Sequence, residues 1–268
     1  MAAITRCKIL GSIPMKIASW NVNSLRVRLP HVLDWLKEHQ PDLLALQETK
    51  MTDDQFPADA LREAGYEISY AGQKTYNGVA IISKGQQQNV VTDVPDLDDP
   101  QRRILAATIG DVRLLNLYVV NGQEVGSEKY EWKLHWLEKV SDYIETQLAG
   151  YEKFVVVGDF NIAPADEDTW DPAEWKDRIL CSVPERKALQ RLLDMGLTDT
   201  FRLFDHETDT FSWWNYRAAG FRRNRGLRID LLLSSSAMTQ SCTASYVDKE
   251  PRRLERPSDH APVVAEFF

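Results

Sequence analysis

A carboxylate and an amide directly follow a short apolar run in the middle of the sequence. Residues 154–157 read Phe-Val-Val-Val, and the three β-branched side chains predict a buried strand. Gly158 is expected to end this strand, and Asp159 and Asn161 then follow two residues apart. In an extended chain that spacing places both side chains on the same side. The pattern is typical of a catalytic strand end in a layered α/β protein, but it also fits a strand followed by a polar turn.

Two earlier strand ends repeat this combination of amides and carboxylates. Residues 16–20 and 43–47 are predicted strands with an amphipathic helix between them. Asn21 and Asn23 follow the first strand, and Glu48 follows the second. A strand, a helix and a strand in succession are typical of a crossover unit, which would bring the three side chains close together.

Later strands also have polar residues near their ends. A predicted hairpin over 104–109 and 112–118 ends at Tyr118, and a later predicted strand over 228–233 contains Asp230. The polar residues close to strand ends are Asn21, Asn23, Glu48, Tyr118, Asn121, Asp159, Asn161, Asp259 and His260. Carboxylates and amides with one prominent histidine and no cysteine suit a hard cation such as Mg²⁺ better than zinc.

The charged residues are unevenly distributed along the chain. The formal net charge is −8, which counts against binding nucleic acid by bulk charge alone. Residues 159–171 hold five acids and no base, and residues 217–228 hold five arginines and no acid. This segregation predicts an acidic region that binds metal or is solvated, and a separate region that binds anions. A metal site with a nearby arginine-rich segment predicts hydrolysis of a phosphodiester or phosphomonoester.

The bulk properties are those of an ordinary globular protein. The 268 residues are 43% apolar and 27% charged, which argues against disorder and allows one large domain. No apolar run approaches the ~20 residues that span a bilayer, so we expect no membrane partner. Three widely spaced cysteines without a CxxC pair favour a reducing, cytoplasmic location. Residues 1–14 are expected to be a disordered N-terminal extension, and residues 15–268 a single catalytic domain.

Several segments closely resemble the exonuclease III family, the abasic-site endonucleases of the wider endonuclease/exonuclease/phosphatase superfamily. The matching segments are Ser-Trp-Asn-Val-Asn at 19–23, Leu-Gln-Glu-Thr-Lys at 46–50, Gly-Asp-Phe-Asn-Ile at 158–162 and Ser-Asp-His-Ala-Pro at 258–262, with further blocks at 116–118 and 224–230. The resemblance extends over 15–268 in the same order. It implies a four-layer α/β/β/α sandwich whose two central sheets are mainly antiparallel, with the active site at one end of the sheets.

The resemblance also implies a metal site. Glu48 is expected to be the principal ligand of Mg²⁺, for which Mn²⁺ would substitute. Asn21, Asn23 and Asp259 are expected in or near the coordination shell. Asn23 stands where relatives often have Asp, which would weaken the electrostatic attraction for the ion.

The catalytic roles implied by the resemblance fall to five residues. Asp159 would orient and deprotonate the attacking water, and Asn161 would hold Asp159 or the phosphate. His260 would contact the scissile phosphate, with its ring fixed by Asp230; a carboxylate partner favours the charged imidazolium. Tyr118 would donate to a phosphate oxygen or assist departure of the leaving group.

A further group of residues is expected to contact DNA. Trp213, Leu227 and Ile229 resemble an apolar pocket for an extruded abasic sugar, although Trp213 also fits simple core packing. The expected contacts to the DNA backbone are Asn121, Arg217, Arg222, Arg223 and Arg225. Val120 stands where relatives commonly carry Pro, so the stiffness of that loop is not given by the resemblance.

The expected activity is metal-dependent cleavage of double-stranded DNA. A monomer would cut 5′ to abasic sites and process blocked 3′ ends as a 3′–5′ exonuclease and 3′-phosphodiesterase. One alternative is a DNA-binding regulator without catalysis, which would be expected to lack several of the polar residues named above. Another is a phosphatase or sphingomyelinase of the superfamily, which is expected to use a second catalytic histidine. The other histidines, at positions 31, 39, 135 and 206, lie in helical or exposed contexts.

Overall fold

The computed structural model describes residues 14–268, which form two six-stranded sheets, a two-stranded ribbon and surrounding helices. The strands of the first sheet are β1 Met15–Asn21, β2 Leu43–Gln47, β3 Glu67–Ala71, β4 Val79–Ser83, β13 Cys242–Val247 and β14 Val263–Phe267. Their order across the sheet is β13-β14-β1-β2-β4-β3.

The second sheet contains strands from the middle of the chain. They are β5 Gln87–Val91, β6 Ile104–Ile109, β7 Val112–Tyr118, β8 Lys153–Asp159, β9 Thr198–Asp199 and β12 Asp230–Ser234. Their order is β5-β6-β7-β8-β12-β9. The ribbon pairs β10 Trp213–Trp214 with β11 Gly226–Leu227.

The helices connect and cover the sheets. The α-helices are α1 Leu25–His39, α2 Ala58–Glu63, α3 Glu128–Gly150, α4 Pro172–Trp175, α5 Val183–Asp194 and α6 Ser236–Ser241. Short 3₁₀ turns are formed by Asp53–Gln55, Asp166–Asp168, Thr200–Leu203, Arg217–Ala219 and Glu250–Arg253.

Each sheet has one parallel pair of neighbouring strands, and the remaining pairs among the described residues are antiparallel. β1 is parallel to β2, and β7 is parallel to β8. Parallel neighbours need a long crossover, which α1 supplies in the first sheet and α3 in the second. In register, Asn21 lies beside Gln47, and Tyr118 lies beside Asp159. The carboxyl ends of both parallel pairs therefore present polar residues side by side.

The layer order follows from the alternation of side chains along β8. Phe154 and Val156 pack in a cluster with residues of α3 and α5, whereas Val155 and Val157 pack in a cluster with residues of the first sheet. A third cluster joins the opposite face of the first sheet to α1 and α2. These three cores confirm the predicted α/β/β/α sandwich with two mainly antiparallel sheets, and a strand buried on both faces explains the continuous apolar run.

The prediction that Gly158 ends its strand is wrong. The strand continues through Gly158 to Asp159, and Gly158 pairs with Leu231. Its φ is 144°, and an added Cβ would lie 1.8 Å from the Leu117 carbonyl oxygen. Glycine is needed here because the backbone of β7 approaches too closely for any side chain.

The predicted disordered extension, residues 1–14, lies outside the described residues except for its last position. Within residues 14–268, no helix is both long enough and apolar enough to cross a bilayer. The assignment of residues 15–268 to one catalytic domain stays a prediction.

Candidate active site

The amide of Asn21 joins the two sheets at their polar ends. Its Nδ2 donates to Glu48 Oε1 at 2.8 Å and to Asp159 Oδ2 at 2.9 Å. Asn21 ends β1 and Glu48 follows β2 of the first sheet, and Asp159 ends β8 of the second. Ligand atoms of Glu48, Asp159 and His260 all lie within 4.8 Å of one another. The residues predicted from separate strand ends are therefore brought to one place.

His260 and Asp230 form a buried pair beside this group. His260 Nδ1 donates to Asp230 Oδ2 at 2.9 Å, and Nε2 lies 3.7 Å from Asp159 Oδ2. Ser212 Oγ donates to the same Asp230 oxygen at 2.6 Å, which fixes the carboxylate. Burial by itself lowers the pKa of His260, but the carboxylates of Asp230 and Asp159 outweigh it and raise the pKa to about 10. The ring is therefore an imidazolium at neutral pH, suited to contact an anion.

Asp159 is enclosed among hydrogen-bond donors. Burial raises the pKa of Asp159 to about 7, against the opposing effect of the His260 charge and with a further rise from Asp230. The Asn161 N–H and the Asn21 amide stabilise the ionised form. A carboxyl group whose pKa lies near neutrality suits a general base.

Asn161 supports Asp159 through its backbone. Its N–H donates to Asp159 Oδ1 at 2.9 Å, and its side-chain Nδ2 donates to the Val119 carbonyl at 3.0 Å. Its Oδ1 accepts from Asn121 Nδ2 at 3.0 Å. The chain is extended to Asp159 but turns at Asn161, where φ is 49°, so the polar turn offered as an alternative is present after the strand. The turn brings the two loops after β7 and β8 together.

Tyr118 carries a hydroxyl that stays protonated. Burial and the charges of Glu48 and Asp159 raise its pKa well above the ordinary value. The guanidinium of Arg103 lies 4.6 Å from the centre of the Tyr118 ring, and Nη1 donates to the Tyr118 carbonyl at 3.3 Å. Sequence reasoning missed Arg103, which lies in a loop before β6 without a motif around it.

Lys50 was also missed, although it ends the Leu-Gln-Glu-Thr-Lys segment. Its Nζ lies 2.7 Å from Glu48 Oε2 and 2.5 Å from Asn23 Oδ1. Asn23 Nδ2 in turn donates to Asp259 Oδ1 at 2.8 Å, and Trp213 Nε1 donates to Asp259 Oδ2 at 3.0 Å. Burial would raise the pKa of Asp259, but the His260 charge and these two donors lower it overall, so this carboxylate is ionised.

The donor set fits a hard divalent cation. The Lys50 ammonium already places a positive charge between oxygens of Glu48 and Asn23, the kind of ligand that Mg²⁺ prefers. In the cluster of Glu48, Asp159 and His260, the His260 ring is held by Asp230 and Asp159 is suited to act as the base, so Glu48 is the candidate metal ligand. Asn21, Asn23 and Asp259 surround that cluster, and their predicted place in the coordination shell stays a prediction.

The residues of the predicted apolar pocket lie together but are mostly covered. Trp213 pairs with Leu227 in the ribbon, and Ile229 belongs to the same apolar cluster. Leu227 is 0% exposed and Ile229 is 2% exposed, because Leu180 packs in that cluster with them. Trp213 keeps a partly exposed surface. Of the three residues expected to form the pocket, Trp213 is therefore the one with surface available to a ligand, and the predicted pocket stays a prediction.

The arginines of 217–228 divide into two groups. The exposed group consists of Arg217, Arg222, Arg223 and Arg225, and the Arg225 guanidinium lies 4.7 Å from the centre of the Trp170 ring. Arg228 is buried, with Nε 2.6 Å from Asp168 Oδ1 and Nη2 2.8 Å from Asp199 Oδ2. The predicted separation of the acidic and basic segments is therefore wrong at Arg228, because a buried guanidinium needs carboxylate partners.

A buried polar bridge between the sheets lies directly behind the site. Gln47 Nε2 donates to Asn116 Oδ1 at 2.7 Å, and Asn116 Nδ2 donates to the carbonyls of Leu46 and Ala80, each at 2.9 Å. Gln47 precedes Glu48, and Asn116 precedes Tyr118 by two residues. Both residues lie in segments that resemble the family, at 46–50 and 116–118, but neither was expected to join the sheets.

The other histidines lie away from this group. His31 and His39 are on α1 and His135 is on α3, both of which are outer helices, and a ring nitrogen of His206 contacts the Phe201 carbonyl. Within the described residues, His260 is the histidine of the potential ligand cluster. Among the described residues, this cluster contains no second histidine, so it does not support the alternative of a phosphatase or sphingomyelinase with two catalytic histidines.

Comparison with known proteins identifies the family. The model of the endonuclease/exonuclease/phosphatase family matches residues 18–260. Exodeoxyribonuclease III of Haemophilus influenzae is 38% identical over 267 residues, covering 94% of this chain and all of that protein. A Neisseria 3′ phosphatase, NExo, solved with a product DNA hairpin, aligns with a TM-score of 0.93 at 49% identity over 95% of this chain and 99% of its own.

An AP endonuclease from Archaeoglobus fulgidus aligns with a TM-score of 0.90 at 35% identity, over 94% of this chain and 99% of its own. In each of these comparisons the matched region covers nearly the whole of both chains. The protein therefore belongs to the endonuclease/exonuclease/phosphatase family, as a phosphodiester hydrolase of the exonuclease III type.

Proposed function

We propose that the protein is a Mg²⁺-dependent DNA repair nuclease that cuts duplex DNA 5′ to abasic sites and removes nucleotides and blocking groups from 3′ ends. The observation that carries the proposal is the junction of Asn21, Glu48 and Asp159 opposite a protonated His260. Asp159 is a base of near-neutral pKa, and the imidazolium of His260 faces it; hydrolysis of a phosphate diester needs both a base for the water and a positive charge for the phosphate.

The three activities share one bond cleavage. In each, water adds to phosphorus and the bond to a 3′ oxygen breaks, leaving a 3′ hydroxyl. Asp159 accepts the proton of the water, His260 donates to a non-bridging phosphate oxygen, and Tyr118 is the donor available to the leaving oxygen. Glu48, with Asn21, Asn23 and Asp259 around it, would hold Mg²⁺, which stabilises negative charge on the phosphate when bound. Mn²⁺, with the same preference for oxygen, would substitute.

DNA binding is proposed to use the exposed face beside this junction. A chain of net charge −8 gains no general attraction to DNA, so local cations must supply it. Arg217, Arg222, Arg223 and Arg225 are exposed, and Asn121 lies in the turn next to Asn161. We propose that these residues contact the backbone of a duplex bound by a monomer.

A second candidate is an enzyme that acts mainly on 3′ ends, with little incision at abasic sites. The observation that favours it is the burial of Leu227 and Ile229, which leaves Trp213 as the exposed member of the expected pocket for an extruded sugar. The Neisseria relative, described as a 3′ phosphatase, has the same fold at 49% identity.

The test compares three duplexes that carry an abasic-site analogue, a 3′-phosphate or an intact nicked end. With Mg²⁺ we expect cleavage of the first and dephosphorylation of the second, and with a chelator we expect neither. The ratio of the rate of cleavage at the abasic site to the rate of dephosphorylation distinguishes the two candidates, since the second candidate predicts a low ratio. Absence of metal-dependent hydrolysis on all three duplexes would contradict both.

DNA affinity and damage preference are expected to depend on different residues. Arg222→Ala with Arg223→Ala should weaken binding to damaged and intact duplex alike, and the slope of log K against log salt should fall by about 1–2, because fewer counterions are released. The measurement is binding across a salt series. Arg62→Ala is a control, since Arg62 is an exposed arginine on α2 that pairs with Asp59. An unchanged slope in the double variant would exclude this strip from the interface.

Trp213→Ala should leave that salt slope unchanged and reduce the preference for abasic over intact DNA. Trp213 is the member of the apolar cluster with exposed surface, and its ring donates to Asp259. The comparison uses initial cleavage rates on both duplexes. Full retention of the abasic preference would assign Trp213 to core packing.

A further inference from the structure

The ammonium of Lys133 is buried behind the active site and belongs to none of the predicted functional groups. Lys133 lies on α3 and its partner Glu185 on α5, and both side chains are 0% exposed. A buried charge is costly unless it is paired and hydrogen-bonded. The surroundings of this pair therefore indicate what it does.

Each proton of the ammonium has an acceptor. Besides Glu185, Lys133 Nζ donates to the Asn161 carbonyl at 2.7 Å and to the Asn121 carbonyl at 3.2 Å. These carbonyls belong to the turns that follow β8 and β7. At the β7 turn, Gly122 packs so closely that an added Cβ would lie 3.0 Å from Lys133 Cδ. One ammonium thus joins two active-site turns.

Glu185 is itself held in place. Its Oε1 accepts from the Leu180 N–H at 3.1 Å, and its Oε2 accepts from the Ser182 N–H at 3.0 Å and from Ser182 Oγ at 2.6 Å. Ser182 and Glu185 form the capping box at the start of α5. The carboxylate that orients Lys133 is therefore part of a rigid helix terminus.

Asn161 links the ammonium to the catalytic carboxylate. Its carbonyl accepts from Lys133, and its N–H donates to Asp159 Oδ1 at 2.9 Å. Asn161 has φ 49°, a left-handed conformation that Asn adopts more readily than most residues with a side chain and that turns the chain after β8. The hydrogen bond to Lys133 is one of the contacts that hold it.

We propose that Lys133 is a positioning residue: through the Asn161 and Asn121 carbonyls it sets the two turns that orient Asp159. The proposal rests on the proposed nuclease function. Lys133 touches no substrate; it acts on the direction of the carboxylate, and a misplaced base slows the chemical step without weakening DNA binding.

The test uses Lys133→Met, which keeps the length of the side chain and removes its donors, and a double variant with Glu185→Gln, which leaves no unpaired buried carboxylate. The matched control is Arg113→Met. Arg113 is a buried cation at the opposite end of β7, and it donates to the Asn89 carbonyl at 2.7 Å.

For the double variant we expect kcat to fall about 10-fold or more, with KM and DNA affinity within about threefold of wild type. Amide hydrogen exchange should accelerate at 119–123 and 160–163 and not in the strands. Arg113→Met should lose thermal stability but keep kcat and slow exchange in those turns.

Wild-type kcat in the folded double variant would overturn the proposal, as would an equal loss of kcat in Arg113→Met. Failure of the double variant to fold, while Arg113→Met folds, would also overturn it, because the role would then be structural. If the wild type hydrolyses no DNA substrate, the proposed function fails. The exchange comparison would then still decide whether Lys133 holds the turns.

Discussion

Asp159→Asn is expected to lower kcat by about 10²-fold or more while DNA binding survives. The amide keeps the shape of the carboxylate and its hydrogen bond from the Asn161 N–H, but it cannot accept the proton of the attacking water. The measurement is single-turnover cleavage of a 3′-phosphate or abasic duplex at saturating enzyme, together with DNA affinity. Comparable turnover in the variant would remove Asp159 from its role as base.

The pH dependence supplies an independent check on Asp159. The group acts as a base when ionised, and burial raises its pKa to about 7 without metal, so activity should be lost as pH falls through that region. A bound cation favours the carboxylate and moves this loss to lower pH. The residual activity of Asp159→Asn should not show this loss at acid pH.

Stability should change in the opposite direction from activity. Because the pKa of Asp159 is about 7 in the folded state against an ordinary value of 3.8, the free energy of unfolding falls as pH rises from 3.8 to about 7 and stays at that lower level above it. At pH 8, Asp159→Asn is therefore expected to unfold at the same temperature or higher. Asp111→Asn is the control, since Asp111 pairs with Lys153 at the far end of β7 and β8.

Glu48→Gln is expected to weaken Mg²⁺ binding by about 10²-fold and to depress cleavage strongly, with the fold intact. Loss of a residue that only orients a ligand already costs about 10- to 100-fold in metal affinity, and a direct ligand should cost at least as much. Gln keeps an oxygen for the Asn21 amide but removes the charge that faces Lys50. The measurements are calorimetric titration with Mg²⁺ and cleavage at limiting metal.

Glu67→Gln is the matched control for this change. Glu67 begins β3, is exposed, and lies at the opposite end of the first sheet from Glu48. It should bind Mg²⁺ and cut DNA as the wild type does. Cleavage by Glu48→Gln at the wild-type rate in limiting Mg²⁺ would contradict the assignment of Glu48 as the principal ligand.

Many strands could be predicted from the sequence because hydrophobic periodicity is a property of a few neighbouring residues. The predicted strands over 43–47, 104–109 and 112–118 have those same bounds in the structure. The site residues at their ends, such as Glu48 and Asp159, were found because a polar residue after a buried run stands out. The motif resemblance then supplied the layer order, which periodicity alone does not contain.

The hydrogen bonds and ion pairs of the site could not be predicted from the sequence, because they depend on the tertiary structure. Contacts such as Asn21 with Asp159, Lys133 with Asn161 and Arg228 with Asp168 join residues 138, 28 and 60 positions apart. Local pattern carries no information on such pairs, and it predicted separate acidic and basic regions that the buried pair of Arg228 and Asp168 joins. The full burial of Leu227 could not be predicted for the same reason, since burial depends on what packs from elsewhere in the chain.

The strands, the crossovers and the polar residues at their ends could be predicted because they follow from side-chain spacing and backbone preference. The pKa values, the partners of the buried cations and the burial of the apolar cluster around Leu227 depend on how the two sheets and the loops pack together. Electrostatic energies depend on distance and burial, and both exist only once the chain is folded.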